Sequence, residues 1–125
     1  MKACVTLPFA TFRTRGRDEI YCMSVNYSFV MNKWTQSQGL KNAKVIPDGS
    51  GTFTRRMCML IDQDNLAFGL RSWRYAAIIR DGVIEAWFQE PGISDNHPED
   101  PYSESSPENV LNWLRARAHE DAQAA

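Results

Sequence analysis

The sequence predicts an α/β fold, a three-layer sandwich with a mixed sheet, and three observations carry this prediction. Strand-sized apolar segments alternate with segments of helical period in the first half of the chain. An Asp-Gly pair separates two strand-like runs in the second half, and a capped amphipathic helix follows. The order strand, helix, strand, helix, hairpin, helix is typical of helices that cover both faces of a sheet.

The first half supplies three strands and two helices. A helix begins near Asn26, where apolar residues recur three or four apart, and Gly39 is a plausible end. A second helix of one to two turns follows the turn Asp48-Gly-Ser-Gly. The stretch 11–17 is basic and turn-like where a crossover helix is usual, so we expect the first crossover helix to be shortened or missing. The predicted strands are residues 2–7, 19–25 and 43–47.

The second half supplies a hairpin, a loop and the last helix. Residues 74–79 and 83–88 flank Arg80-Asp81-Gly82, and Asp-Gly tolerates the positive φ angles of a tight turn. Residues 90–104 are rich in proline, acids and amides and predict a surface loop. Ser105 or Ser106 caps the last helix, whose apolar stripe is Val110, Leu111 and Leu114. We expect one domain over residues 1–118 and a frayed tail at 119–125.

Composition limits the classes of partner. Fourteen basic and fifteen acidic residues leave a net charge of −1, with no basic stripe for nucleic acid or a membrane surface. The start of the chain is too quickly polar for a secretory signal or a membrane span, so we expect a cytoplasmic protein. The three cysteines have no metal-ligand spacing, which disfavours a disulfide framework or a zinc site. We predict no cofactor and no metal.

Four blocks of sequence carry a resemblance to a known family. DEIYCMSVN at 18–26, FVMNKW at 29–34, DGSGTFT at 48–54 and GLRSWRYA at 69–76 resemble, in sequence and spacing, the atypical type-5-like (type II) peroxiredoxins of the alkyl hydroperoxide reductase/thiol-specific antioxidant superfamily. The likeness runs from about Gly16 to Leu114. It implies a thioredoxin-like fold and a homodimer. It also implies reduction of hydrogen peroxide or alkyl hydroperoxides through a cysteine sulfenic acid, with glutathione, glutaredoxin or thioredoxin as the thiol reductant.

Arg74 matches the arginine with which that family stabilises its thiolate. A cysteine with a pKa of about 8.5 is only a few per cent ionised at pH 7, so a nearby cation must favour the anion. This role would explain why a charge leads directly into the apolar run at 75–79. The alternative is that Arg74 pairs with a carboxylate such as Glu19 or Asp48, or lies on the rim.

The family's Pro-x-x-x-Thr-x-x-Cys motif does not occur in the 125 residues, and two alignments of the amino terminus remain open. In the first, which we prefer, Thr14 matches the threonine before the nucleophile and Arg15 stands at the nucleophile's position. In the second, Cys4 is the nucleophile, with Thr6 or Thr14 as hydroxyl donor. We therefore expect the catalytic-cysteine segment to be truncated or degenerate. The chain is either an active peroxidase or a catalytically dead relative that serves as a binding or non-functional domain.

The remaining cysteines and histidines yield weaker predictions. Cys22 lies in an alternating strand and is most simply a small buried hydrophobe, although type II members carry a resolving cysteine at the matching place. Cys58 replaces a glycine usual in its block and is predicted to pack in the core. Tyr27 stands where the family has an acid, so the first helix should lack a cap. His97 and His119 have no metal partner at useful spacing.

Overall fold

The computed structural model describes residues 19–41 and 43–124. None of the helices in these two ranges is both long enough and apolar enough to cross a membrane. A single 3₁₀ turn covers Asp64–Leu66. The strands are β1 (Tyr21–Ser24), β2 (Lys44–Pro47), β3 (Leu60–Asp62), β4 (Leu70–Ser72), β5 (Tyr75–Arg80) and β6 (Val83–Gln89). The helices are α1 (Ser28–Ser37), α2 (Thr52–Arg56) and α3 (Pro107–Ala124).

Parallel and antiparallel pairs are mixed, as the sequence predicted. β1 pairs with β2 in parallel, whereas β3 with β4 and β5 with β6 are antiparallel; within the described ranges each pair is a two-stranded sheet. β3 and β4 were not predicted, because three residues are too few to display an alternating pattern. The predicted strand at 2–7 and the first crossover region lie outside the described residues.

The strand, helix and strand that the sequence predicted here are β1, α1 and β2, and they form a parallel crossover unit. Met31 is the buried residue of α1. Tyr27 occupies the N-cap position and makes no side-chain capping bond, which confirms the prediction of an uncapped start. Gly39 follows the end of the helix with a φ of +64°, a conformation that glycine adopts without strain.

The carboxylate of Asp48 accepts the hydrogen bonds that stabilise the start of α2. Asp48 accepts hydrogen bonds from the backbone N–H of Thr54 at 2.8 Å, the hydroxyl of Thr54 at 2.6 Å and the N–H of Phe53 at 3.2 Å. Burial raises the pKa of Asp48, but these hydrogen bonds outweigh it, and the net pKa lies below its ordinary value. Asp48 is therefore committed to holding the start of α2.

The prediction that Cys58 packs in the core is wrong. Cys58 is exposed and has a φ of +60°, in the left-handed region that favours glycine. The chain reverses here as it leaves α2, so the side chain of Met59 is turned into the core and that of Cys58 is left outside. The left-handed φ gives a physical reason for the glycine that the family has at this position.

The hairpin β5–β6 carries an apolar cluster on each face. Side chains alternate along a strand, so Ile78 faces α3 while Tyr75 and Trp87 face the other way. The α3 side contains the predicted stripe, with Val110, Leu111 and Leu114 all buried. The opposite side contains Met59, Ile61 and Trp73. A hairpin with cover on both faces is the centre of a layered α/β structure.

The last helix is longer than predicted. The hydroxyl of Ser106 accepts a hydrogen bond from the N–H of Asn109 at 3.2 Å, which confirms one of the two predicted caps. The helix then continues to Ala124 instead of fraying after Ala118. Its final turns are exposed and polar, so no apolar periodicity marks them in the sequence.

The hairpin turn offers a test of the fold. Asp81 and Gly82 have φ of +50° and +77°, as a type I′ turn requires. We expect Gly82→Ala to lower the free energy of unfolding by about 1 kcal/mol, because a Cβ disfavours positive φ. The matched variant Asp81→Gly should leave it equal or higher. Urea unfolding of the three proteins measures this, and an Ala variant as stable as wild type would contradict the turn geometry.

Candidate active site around Arg74

Arg74 lies between β4 and β5 with its guanidinium drawn toward the protein. Its Nη2 is 2.7 Å from Oδ1 of Asp100, and its Cζ lies 4.8 Å from the ring centroid of Tyr102. The side chain is 21% exposed, whereas that of Asp100 is 60% exposed. The charge therefore sits at the boundary between core and solvent, held by a carboxylate on one side and a ring face on the other.

The two carboxylates suggested as alternative partners of Arg74 have other partners. Glu19 pairs with Lys44 at 3.1 Å, and Asp48 caps α2. Asp100 could not be identified from the sequence, because it lies in the aperiodic loop and is separated from Arg74 by the whole hairpin. The alternative, that Arg74 pairs with a carboxylate, is observed with Asp100 and not with either of the two carboxylates named for it, whereas the predicted role beside a thiolate stays a prediction.

One donor of Arg74 has no acceptor among the residues that the structure describes. Its Nε is buried and makes no hydrogen bond within the described part of the chain. Leaving a buried donor without an acceptor costs about 1–3 kcal/mol, and more for a charged group, so such atoms are rare in folded proteins. A guanidinium presents five N–H donors in a planar fork that suits two oxygens of one ligand. Asp100 engages Nη2, which leaves the buried Nε–H as a donor without an acceptor among the described residues.

A second charged group, Glu90, is fully buried directly after β6, with 0% exposure. Its Oε1 accepts hydrogen bonds from the N–H of Ser103 at 2.7 Å, the hydroxyl of Ser103 at 3.1 Å and the N–H of Glu104 at 3.1 Å. Its Oε2 accepts from the N–H and the hydroxyl of Ser105 at 2.7 and 2.8 Å. Three consecutive residues of the loop therefore wrap around one carboxylate.

Those hydrogen bonds decide the protonation state of Glu90. Burial alone would raise its pKa, but bonds from Ser105, Ser103 and Glu104 favour the charged form more strongly and lower the pKa from 4.5 to about 2. All five donors are neutral, so among the described residues the charge is stabilised by oriented dipoles and not by a cation. Glu90 is ionised at every physiological pH.

The backbone of Glu90 also contacts Arg74 and the residue that precedes it. Its N–H donates to the carbonyl of Arg74 at 3.2 Å, and its carbonyl accepts from the indole N–H of Trp73 at 2.8 Å. Trp73 itself is buried, and the edge of its ring contacts His97 with 5.2 Å between centroids. The end of β6 is thus joined to the segment between β4 and β5 by one backbone hydrogen bond and one side-chain hydrogen bond.

Of the other predicted site residues, only Cys22 lies within the described part of the chain. Cys22 is buried on β1 opposite Val45, in agreement with its assignment as a small buried side chain. Cys4, Thr6, Thr14 and Arg15 lie outside the described residues. Across the described part of the chain, no group of three or more His, Cys, Asp or Glu residues could hold a metal ion.

Three residues of the site escaped sequence reasoning, namely Glu90, Asp100 and Tyr102. Each makes its contact across more than a dozen residues of chain, and all three belong to a segment without helical or strand period. The one local signal is the pair of serines at 103 and 105, whose short side chains can bond a nearby carboxylate. These three residues are therefore the part of the proline-rich loop that belongs to the site.

The parallel β1–α1–β2 crossover, the antiparallel hairpin and the helices that cover it form a thioredoxin-like α/β domain. The profile of the Redoxin family matches residues 7–106. The chain belongs to this family, and within it to the peroxiredoxins of the alkyl hydroperoxide reductase/thiol-specific antioxidant superfamily.

Individual relatives agree with the family match. A peroxiredoxin of Rhizobium etli is 61% identical over 110 residues, which are 88% of this chain and 62% of the relative. A solved structure described as that of a peroxiredoxin superposes with a TM-score of 0.81 at 35% identity, over 85% of this chain and 62% of that one. Reduced Prx3 of Vibrio vulnificus in complex with hydrogen peroxide gives 0.78 at 31% identity, over 88% and 63%. The chain thus spans about three fifths of each of these relatives.

The low pKa of Glu90 predicts a dependence of stability on pH. The folded pKa, about 2, is below the ordinary 4.5, so the ionised group stabilises the fold above about pH 4.5. That contribution is lost as the pH falls from 4.5 toward 2. We expect wild type to be more stable than Glu90→Gln at pH 6, and the difference to shrink progressively below pH 4.5. Urea midpoints between pH 6 and pH 3 measure it, and a constant difference would contradict the assignment.

Proposed function

We propose that the protein is a thiol peroxidase that reduces hydrogen peroxide or alkyl hydroperoxides. The observation that carries the proposal is the part-buried guanidinium of Arg74, whose buried Nε–H has no acceptor among the described residues. The related Prx3 of Vibrio vulnificus was solved with hydrogen peroxide bound, which supports the same class of substrate here. The membership of the peroxiredoxins supports the same chemistry.

The proposed reaction is a two-electron transfer from sulfur to oxygen. A cysteine thiolate attacks one oxygen of the peroxide, the O–O bond breaks, and the second oxygen leaves with a proton as water or alcohol. The sulfur becomes a sulfenic acid. A thiol of the reductant then forms a disulfide with it and releases water, and a second thiol restores the cysteine. Arg74 contributes by favouring the thiolate and by donating to the oxygens, whose negative charge grows as the bond breaks.

We assign the nucleophile to Cys4 and the hydroxyl donor to Thr14, with Thr6 as the other choice. Cys22 is the candidate resolving cysteine, although its buried position on β1 favours a packing role. The reductant is a thiol such as glutathione, glutaredoxin or thioredoxin. A cytoplasmic location and a homodimer complete the proposal and stay predictions.

A catalytically dead relative is the second candidate. One observation favours it: the Pro-x-x-x-Thr-x-x-Cys motif is absent from the 125 residues, and the first alignment puts Arg15 at the nucleophile's position. Such a chain would retain the arginine and its loop without a thiolate for them to stabilise. The two candidates differ in one measurable property, which is peroxide consumption that depends on Cys4.

Substitution of Cys4 separates the two candidates. We expect the wild type to consume hydrogen peroxide in a stopped-flow assay with a thiol reductant, and Cys4→Ser to lose that activity, because a hydroxyl is a far weaker nucleophile than a thiolate at pH 7. Cys58→Ser is the matched control and should be unaffected, since Cys58 is exposed on the turn after α2. An inactive wild type, or an active Cys4→Ser, contradicts the proposal.

Substitution of Arg74 tests whether the planar donor pair of its guanidinium contributes to the reaction. Lysine retains the positive charge but has no planar donor pair, so we expect Arg74→Lys to lower the second-order rate constant with hydrogen peroxide about 100-fold. Arg80→Lys is the control, because the side chain of Arg80 is 63% exposed and pairs with Glu85 at 3.3 Å, so this variant should change the rate less than twofold. Equal rates for the two variants would remove Arg74 from the reaction.

A further inference from the structure

We propose that Glu90 is a positioning residue for Arg74, acting through the loop segment 100–105. The inference rests on the proposed function, because the orientation of Arg74 matters to activity only if Arg74 takes part in peroxide reduction. Glu90 does not pair with the arginine; the guanidinium pairs with Asp100. Glu90 must therefore affect the orientation of Arg74 through the residues that connect the two.

The first connection is through the backbone. The N–H of Glu90 bonds the carbonyl of Arg74, and the carbonyl of Glu90 receives the indole N–H of Trp73. The first bond holds the main chain of Arg74, and the second holds the side chain of the preceding residue, Trp73. These bonds act at the backbone of Arg74 and at Trp73, and the guanidinium of Arg74 is contacted by other groups.

The second connection is through the carboxylate. Its five hydrogen bonds attach residues 103–105 to the end of β6. Tyr102 immediately precedes this segment, and Asp100 lies two residues earlier. Among the described residues, those two side chains contact the guanidinium, by an ion pair of 2.7 Å and a ring contact of 4.8 Å. Glu90 thus binds the backbone of Arg74 and also the loop whose side chains contact the guanidinium of Arg74.

The loop has separate attachments at its two ends. The N–H of Asn96 bonds the carbonyl of Asp62, and a carboxylate oxygen of Asp95 accepts from the N–H of Asp62, so the early part is attached to β3. The late part is attached by Glu90 and then enters α3 at Pro107. Asp100 and Tyr102 lie between these attachments. Release of the late attachment should loosen them while the early one holds.

The negative charge is required, and not only the shape of the side chain. Each carboxylate oxygen accepts at least two bonds, so both ends of the group must be acceptors. In Glu90→Gln one end becomes an NH₂ group, which faces donors and cannot accept from them. The glutamine therefore keeps the volume of the residue while it disrupts the hydrogen bonds to Ser103 or to Ser105.

The experiment measures the arginine directly as well as the activity. The Nε–H resonance of Arg74 is assigned in a ¹H–¹⁵N spectrum by its disappearance in Arg74→Lys. It is then followed in Glu90→Gln and in the control Glu99→Gln, which removes one exposed carboxylate from the same loop. We expect Glu90→Gln to shift or broaden the resonance and to lower the second-order rate constant for hydrogen peroxide about tenfold. Glu99→Gln should leave both unchanged within twofold.

The outcomes separate this inference from the proposed function. If Glu90→Gln lowers the unfolding temperature but leaves the Arg74 resonance and the rate constant at wild-type values, Glu90 is only structural and the inference is wrong. If wild type consumes no peroxide, the proposed function fails, and the resonance still decides whether Glu90 orients Arg74. Should Glu90→Gln not fold, Ser105→Ala, which removes a single hydroxyl donor, gives the same comparison of resonance and rate with smaller expected changes.

Discussion

The burial of one carboxylate, Glu90, among neutral hydrogen-bond donors governs the architecture of this site. An ionised Glu90 is tolerable in the core only because five neutral donors surround it, and those donors come from one short stretch of the loop. The loop therefore cannot move away without exposing the charge to an apolar environment. Since the same loop carries Asp100 and Tyr102, the requirement to solvate one buried anion also determines where the cation of Arg74 is held.

The arginine itself balances two demands. A cation fully in the core would need a permanent partner, whereas one in bulk water would be screened and would stabilise a thiolate weakly. At 21% exposure with a solvent-facing carboxylate on one side, Arg74 avoids both extremes. Its buried Nε–H keeps a directional donor in a region of low dielectric, where a hydrogen bond to a developing negative charge is worth more than in water.

Local patterns in the sequence predicted most of the fold and little of the site's surroundings. The crossover of β1, α1 and β2, the Asp81-Gly82 hairpin and the stripe of α3 follow from periodicity and turn chemistry, which neighbouring residues determine. β3 and β4 were missed because three-residue strands have no measurable period.

Arg74 was found through its charge next to an apolar strand and through family resemblance. Asp100 and Glu90 were missed because their partners are distant in sequence, and Cys58 was misjudged because its left-handed backbone is a tertiary property.

The two-faced hairpin has a consequence for protein engineering. Successive side chains of β5 alternate between the α3 cluster and the Trp73 cluster, and the turn at Asp81-Gly82 fixes which residue belongs to which. An insertion or deletion of one residue in that turn would exchange the two sets and carry the strand end next to Arg74 out of alignment with Glu90. Affinity tags, linkers or grafted epitopes therefore belong in the exposed final turns of α3, and not in this solvent-facing but register-setting turn.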